Sequence, residues 1–192
     1  MNPLKQLEKY YRLAQRKKSG VADYLSLASV DGRGHPKLRT VLIKTCDHRG
    51  IGFVTNKTGP KVKQFRQHKR VAGMMAWPEL TLQVRIEGVM TLMPQKEVRH
   101  FWRIRDRGAQ ILYSLGLKQS EEIPSFEFLK QQVRNLDLKW ADLQTIPPAP
   151  NYIGFILRPT LIEFLHHSPS RMNKREWFVK TKGRWQKRIL AP

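Results

Sequence analysis

The 192-residue chain has little cysteine, few acidic residues and no long apolar segment. Its single cysteine, Cys46, excludes an intrachain disulfide and a cysteine-rich zinc site, and it suits a reducing compartment. No apolar run approaches the roughly 20 residues that span a bilayer. The first residues, Met-Asn-Pro-Leu-Lys-Gln-Leu-Glu, contain no apolar signal segment. We therefore expect a soluble protein of the cytoplasm.

The scarcity of acidic residues leaves a strong positive charge. Lys and Arg number 36 against 15 Asp and Glu, which gives a formal net charge of +21. Such a field attracts nucleic acid, acidic membrane surfaces or phosphorylated small molecules. The cations are spread from Lys5 to Arg188, which weakens the case for sequence-specific nucleic-acid binding. A basic binding module without catalysis stays as a remote alternative.

Hydrophobic periodicity predicts a mainly β chain with inserted helices. The predicted helices are 3–17, 60–68, 95–104, 103–116 and 126–140, with Lys17 to Gly20 ending the first. The predicted strands are 24–30, 38–45, 51–55, 71–77, 80–93, 152–157, 161–165, 177–180 and 185–189. Strands at hairpin spacing favour an antiparallel barrel, and the lack of βαβ alternation argues against a Rossmann sheet.

We expect a single domain over residues 1–192. Its predicted parts are an N-terminal helix at 1–20, the first barrel strands at 21–94, a helical insertion with a proline-rich loop at 95–150, and the C-terminal strands at 151–192. The length is sufficient for one core to bury most of its apolar residues.

The segment from Leu38 to Lys61 has the features of a phosphate site. Arg39 and Lys44 lie five apart on one predicted strand, so either a bulge re-aims one of them or both reach one anion from the strand's two ends. Pro60 suits a first helical turn, Thr58 could cap it, and the exposed N–H groups with Lys61 could hold an anion. Unrelated surface cations and an ordinary capped helix are the alternatives.

Further candidates occur later in the chain. Gln83 lies in a half-buried strand and needs hydrogen-bond partners, which a flavin pyrimidine edge or a neighbouring backbone could supply. Arg103, Arg105 and Arg107, beside Phe101 and Trp102, form either a second phosphate site next to a stacked ring or a solvated basic face.

The remaining candidates lie near the C-terminus. Arg171 and Arg175 are predicted in a polar loop between strands. His166 and His167 point apart and have no third ligand nearby, so we expect no metal. No Ser-His-Asp triad, paired-carboxylate motif or Walker loop appears, so a cofactor would have to supply any chemistry.

The order of these pieces carries a resemblance to a known family. The ordered set is Arg39-Thr-Val-Leu-Ile-Lys44, Phe53-Val-Thr-Asn56, Lys61, Gln83-Val84, Arg105-Asp-Arg107, Lys118-Gln-Ser120, Ile162-Glu-Phe164, Arg171, Arg175 and the ending Arg188-Ile-Leu-Ala-Pro192. Together they resemble the pyridoxamine 5′-phosphate oxidase family over nearly the whole chain.

The resemblance implies an FMN-binding split β-barrel homodimer, with FMN in clefts between the subunits. The implied reaction is oxidation of pyridoxine or pyridoxamine 5′-phosphate to pyridoxal 5′-phosphate with oxygen. By the resemblance, FMN would be held by Arg39, Thr40, Val41, Leu42, Ile43, Lys44, Val54, Thr55, Pro60, Lys61, Gln83, Gln119, Ser120, Leu165 and Arg175. The substrate would contact Lys44, Phe101, Arg105, Ala109, Arg171 and Asn173, with Arg171 and Asn173 positioning it.

Six of these positions depart from the family pattern. On the cofactor side, Pro60 replaces an arginine, Val54 a tyrosine and Leu165 a tryptophan. On the substrate side, Phe101 replaces a tyrosine, Ala109 a serine and Asn173 a histidine. Such losses would accompany a changed substrate. The alternative is therefore a related FMN oxidoreductase, such as a phenazine-precursor oxidase.

Overall fold

The computed structural model describes residues 2–19 and 21–192, so Gly20, predicted to help end the first helix, lies outside the described residues. The helices are α1 (Pro3–Arg16), α2 (Pro60–Gln67), α3 (Gln95–Arg103), α4 (Arg107–Ser114) and α5 (Phe126–Lys139). The strands are β1 (Tyr24–Val30), β2 (Pro36–Asp47), β3 (Gly50–Asn56), β4 (Arg70–Trp77), β5 (Leu82–Leu92), β6 (Tyr152–His166), β7 (Lys174–Thr181) and β8 (Arg184–Leu190).

The strands form one sheet in the order β3-β2-β1-β4-β5-β6-β7-β8. An additional pairing of β3 with β6 closes the first six strands into a barrel. The pairs β1–β2, β1–β4, β2–β3, β4–β5, β6–β7 and β7–β8 are antiparallel. The predicted antiparallel barrel with inserted helices is confirmed.

The described chain divides into two compact units. The first comprises the residues up to Phe53 together with Gln64–Thr91 and Phe155–Pro192. Its core includes three aromatic rings, Phe53, Phe65 and Phe155, with centroids 5.2 to 6.3 Å apart. Helix α1 belongs to this unit and is capped by Asn2, whose side chain accepts a hydrogen bond from the Leu4 N–H.

The second unit comprises Val54–Lys63 and Leu92–Gly154. Trp102, Tyr113 and Tyr152 form an aromatic cluster with centroids 5.0 to 6.4 Å apart. The Trp102 indole donates to the Ile146 carbonyl at 2.9 Å and so fastens the proline-rich loop to α3. Among the described residues, no helix combines the length and hydrophobicity needed to cross a membrane.

Strand β6 corrects one prediction. The segment Arg158-Pro159-Thr160 does not separate two strands, because a single strand runs from Tyr152 to His166. Glycine in the neighbouring strands makes this possible: a Cβ at Gly88 would lie 2.8 Å from the Arg158 carbonyl carbon. The adjacent backbone therefore approaches Pro159 closely even though proline donates no hydrogen bond.

The helical prediction for 103–116 also needs correction. Helix α3 ends at Arg103, and α4 begins at Arg107. The Gln110 side chain donates to the Trp102 carbonyl at 2.7 Å, which satisfies one acceptor at the end of α3. The two predicted helices are both present, but the second is shorter at both ends than 103–116, with a turn between Arg103 and Arg107.

Strand β2 contains a bulge, which is the first of the two arrangements considered for Arg39 and Lys44. The pairing with β3 shifts register between Ile43 and Thr45, so Lys44 is the extra residue. Burial follows this shift, with Val41 and Ile43 buried before it and Cys46 buried after it. Lys44 is exposed at the bulge, whereas Arg39 shares the inward face with Val41.

Candidate functional site

In the second unit, three of the predicted cofactor residues come together. The Lys61 ammonium donates to the Gln119 side-chain oxygen at 2.7 Å and to the Thr55 hydroxyl at 3.2 Å. Thr55 is 4% exposed on β3, Lys61 is half-buried in the first turn of α2, and Gln119 is exposed. A cation, a hydroxyl and an amide thus converge near a helix N-terminus, which is the donor set that a phosphate group requires.

The turn between β3 and α2 builds this cluster. Asn56 accepts hydrogen bonds from the Thr58 N–H at 2.9 Å and from its hydroxyl at 2.8 Å. The same hydroxyl accepts from the Gln119 N–H at 3.1 Å. Thr58 therefore fixes Gln119 in place, and the predicted capping role is wrong. At Gly59 a Cβ would collide with the Gln119 amide oxygen, so a larger residue there would require the Gln119 side chain to shift away from its position beside Lys61.

In the first unit, Arg39 is held inside the barrel by its neighbours. Its guanidinium donates to the Ser29 hydroxyl at 2.6 Å, to the Gln64 oxygen at 2.7 Å and to the Leu27 carbonyl at 3.2 Å. Partial burial lowers the pKa of Arg39, although a guanidinium stays charged at neutral pH. Its three contacts fix the guanidinium's position before any ligand binds.

Arg175 is predicted in a loop, but it lies on β7 opposite Leu165 of β6. Its guanidinium donates to Glu163 at 2.7 Å and to the Ala191 carbonyl at 3.1 Å. Glu163 is buried and also accepts from Arg85 at 3.0 Å. One buried carboxylate therefore orients two arginines on neighbouring strands.

Three other candidates have side chains open to a ligand. In the described part of the chain, the half-buried Gln83 and the exposed Arg171 have no side-chain hydrogen bond. Ser120 and Arg171 have positive φ angles of 67° and 60°. Such left-handed backbone is uncommon outside glycine and occurs often where a ligand contact is built.

The Arg105 guanidinium stacks on two tyrosines of the second unit. Its central carbon lies 4.6 Å from the Tyr113 ring centroid and 5.6 Å from that of Tyr152. Its buried Nε has no hydrogen-bond partner among the described residues. Burial raises the pKa values of Tyr113 and Tyr152, against the opposing charge of Arg105, so both rings stay neutral phenols at pH 7.

The residues at the positions that depart from the family pattern have few polar side-chain groups. Val54, Phe101, Ala109 and Leu165 are half-buried, and Pro60 is exposed. Phe101 and Ala109 have no side-chain donor. The Asn173 oxygen accepts from the Ser168 N–H at 3.0 Å, so this amide fastens the turn before β7.

The other strand β2 candidates divide between the two faces. Thr40 and Leu42 are exposed, whereas Val41 and Ile43 point into the core. A ligand could therefore reach Val41 and Ile43 only through their backbone.

Sequence analysis did not identify the roles of the residues that hold the candidates. Thr58 fixes Gln119, Gln64 fixes Arg39 and Glu163 fixes Arg175. Only Glu163 has a local signal, because a carboxylate within the apolar run Leu-Ile-Glu-Phe-Leu must find a cation when buried.

Among the described residues, no group of three His, Cys, Asp or Glu side chains could hold a metal.

Comparison with protein-family models gives two matches. Residues 21–139 match the model described as pyridoxamine 5′-phosphate oxidase, and residues 152–192 match the pyridoxine 5′-phosphate oxidase C-terminal dimerisation region. The chain belongs to the pyridoxamine 5′-phosphate oxidase family. It is an FMN-dependent oxidase, and the C-terminal match supports a homodimer.

Relatives in this family are similar over their full length. The pyridoxine/pyridoxamine 5′-phosphate oxidase of Alkalilimnicola ehrlichii is 34% identical over 187 residues, covering 96% of this chain and 94% of that protein. The enzyme of the same name from Myxococcus xanthus is 31% identical over 195 residues, covering 100% and 94%.

Solved structures support the fold. PhzG from Burkholderia lata, crystallised with tetrahydrophenazine-1-carboxylic acid, superposes with a TM-score of 0.91 at 24% identity, covering 100% of this chain and 93% of that one. A pyridoxamine 5′-phosphate oxidase-related, FMN-binding protein from Nostoc punctiforme gives 0.79 at 18% identity, covering 100% and 99%. At these identities the likeness establishes the split-barrel fold.

Proposed function

We propose that this FMN-dependent oxidase converts pyridoxine or pyridoxamine 5′-phosphate to pyridoxal 5′-phosphate with oxygen as the final acceptor. Two lines support the substrate: full-length relatives that carry this name, and the environment of Arg105. Arg105 is the observation that carries the proposal. Among the described residues it has no carboxylate within ion-pair distance, and its Nε lacks an acceptor. A phosphate monoester would supply both the charge and the acceptor.

We assign FMN binding to the residues named from the family resemblance, with Thr55, Lys61 and Gln119 at the phosphate. The observed hydrogen bonds among these three fit that role, because they place donors and one positive charge together. When bound, FMN supplies the two-electron acceptor that the oxidation needs. The protein side chains bind, orient and screen the reactants from water. Pro60 contributes no charge, so Lys61 carries more of the phosphate interaction.

We assign Arg171 to positioning the substrate. Its exposed guanidinium and left-handed backbone keep it available at the turn before β7. Asn173 supports this turn through Ser168, and the Asn173 N–H donates to the Arg171 carbonyl at 2.8 Å. Asn173 would therefore position the substrate indirectly, because its amide stabilises the turn that carries Arg171.

The test is anaerobic reduction of the bound flavin. Pyridoxine 5′-phosphate and pyridoxamine 5′-phosphate are added separately to the holoenzyme, and flavin absorbance is followed before and after oxygen is admitted. We expect bleaching by at least one of them and recovery with oxygen. If the flavin is bound but neither compound reduces it, the substrate proposal is refuted.

A second candidate is a related oxidase with another substrate. The observation that favours it is the loss of polar side chains at Phe101 and Ala109, together with the engaged amide of Asn173. These positions leave fewer donors for a phosphate. The same anaerobic assay with cyclic carboxylic acids, including tetrahydrophenazine-1-carboxylic acid, distinguishes the candidates by which compound bleaches the flavin.

A further inference from the structure

A cleft in the second unit lies between helix α3 and the proline-rich loop. We call it the α3 cleft; its volume is about 290 Å³, close to the lower limit of small-molecule sites. Lys96, Arg99 and Arg103 line one side, and Thr145 with Pro147 and Pro148 lines the other. None of these residues belongs to the FMN or substrate sets proposed above.

The cations of the α3 cleft lack compensation. Lys96, Arg99 and Arg103 follow one another at intervals of three and four residues, so they share one face of α3. All three are exposed, and none has an ion pair or side-chain hydrogen bond within the described residues. Like charges at this spacing destabilise a helix. An anion bound in the cleft would replace this repulsion among the three side chains with attraction to a common ligand.

The rest of the cleft is rigid and largely apolar. Trp102 and Ile146, each 1% exposed, contribute to the floor and are joined by the indole hydrogen bond described above. Pro147 and Pro148 have fixed φ angles and offer no N–H to a ligand. Apart from the Trp102 indole, which already donates to the Ile146 carbonyl, the hydroxyl of Thr145 is the one neutral side-chain donor in this lining. A ligand here would meet cations on one side and an apolar floor.

The geometry points to a second anion site: we propose that the α3 cleft binds a small phosphorylated ligand with an apolar body. Two guanidinium groups and one ammonium suit the oxygens of a phosphate, and the apolar lining, in which Pro147 and Pro148 are exposed, suits a ring or short apolar group. The inference rests on residues of the second unit alone and does not depend on the substrate proposed above.

The test uses pyrophosphate as the probe and FMN-saturated holoenzyme labelled with 5-fluorotryptophan. The chain has five tryptophans, so the ¹⁹F signal of Trp102 can be assigned with a Trp102→Phe variant. Titration at constant ionic strength should shift this signal saturably. In Arg99→Gln/Arg103→Gln we expect the Kd to rise at least tenfold.

Two further variants make the outcome specific. Arg134→Gln/Lys139→Gln removes two exposed cations from α5 in the same unit and should leave the Kd within twofold of wild type. Arg105→Gln should also retain the shift, which separates the α3 cleft from a phosphate bound at Arg105. The proposal is overturned if the wild-type signal does not shift saturably. It is equally overturned if the Arg99→Gln/Arg103→Gln protein titrates like wild type or if Arg105→Gln alone abolishes the shift.

Discussion

Substitution of Lys61 by methionine is the sharpest test of the proposed FMN phosphate site. Lys61→Met keeps the length and helix propensity of the side chain but removes its charge and its bonds to Thr55 and Gln119. A hydrogen bond to a charged group contributes about 1.5–3 kcal/mol. Since about 1.4 kcal/mol corresponds to a factor of ten, the Kd for FMN should rise roughly 10- to 150-fold.

Lys63→Met is the matched control. Lys63 lies on the same helix, is exposed and has no side-chain hydrogen bond within the described residues. The Lys63→Met substitution removes the same unit of charge as Lys61→Met, so it measures how much the general positive field contributes to FMN binding. That contribution is screened by salt, whereas a direct contact with the phosphate is screened much less.

The assay is titration of apoprotein with FMN, followed by quenching of flavin fluorescence at low and physiological ionic strength. We expect Lys63→Met to bind within about twofold of wild type at physiological ionic strength, with Lys61→Met at least tenfold weaker. Thermal unfolding of both apoproteins checks that the variants fold. Equal affinities for the two variants would show that Lys61 does not contact the phosphate.

Two other predictions concern stability. Burial would raise the pKa of Glu176, but the hydrogen bond from Lys187 at 2.5 Å and its charge hold that pKa below the ordinary 4.5. Glu176→Gln should therefore destabilise the apoprotein by roughly 1–2 kcal/mol at pH 7. The depressed pKa of Glu176 stabilises the fold above pH 4.5, so the difference in Tm between the variant and wild type should shrink as the pH falls below that value. A difference in Tm that stays constant with pH would contradict this. Gly88→Ala places a Cβ against the Arg158 carbonyl and should destabilise the fold by about 1–3 kcal/mol in denaturant titration. Gly108→Ala, in open space on α4, should not; equal losses for both would contradict the steric argument.

Local patterns predicted the elements of the barrel because each depends on neighbouring residues. The alternation of Leu82, Val84 and Ile86 with polar residues gives β5, and the observed strand has the same burial pattern. Strand β6 was predicted as two strands because proline usually ends a strand, and the glycines that accommodate Pro159 lie far away in sequence at Gly50 and Gly88. Register across non-neighbouring strands leaves no local signal.

The same limit applies to the site. Lys61 and its helix N-terminus are evident from Gly59-Pro60, but its partner Gln119 is 58 residues away. Arg85 meets Glu163 across 78 residues, and the register of β5 and β6 decides that contact. The sequence therefore identifies which cations are candidates. Which of them already have a protein partner depends on the fold.

The proposed FMN residues and the proposed substrate residues differ in how firmly the protein positions them. Arg39 and Arg175 are positioned by protein acceptors, and Lys61 by Thr55 and Gln119, so the proposed cofactor residues are preorganised. Among the described residues, Arg105 is positioned by stacking on Tyr113 and Tyr152, and Phe101 and Ala109 have no side-chain donor. Each missing neutral hydrogen bond removes about 0.5–1.5 kcal/mol of binding. If a phosphorylated B6 compound is the substrate, these losses should fall on ground-state and transition-state binding alike, and so raise KM with little change in kcat.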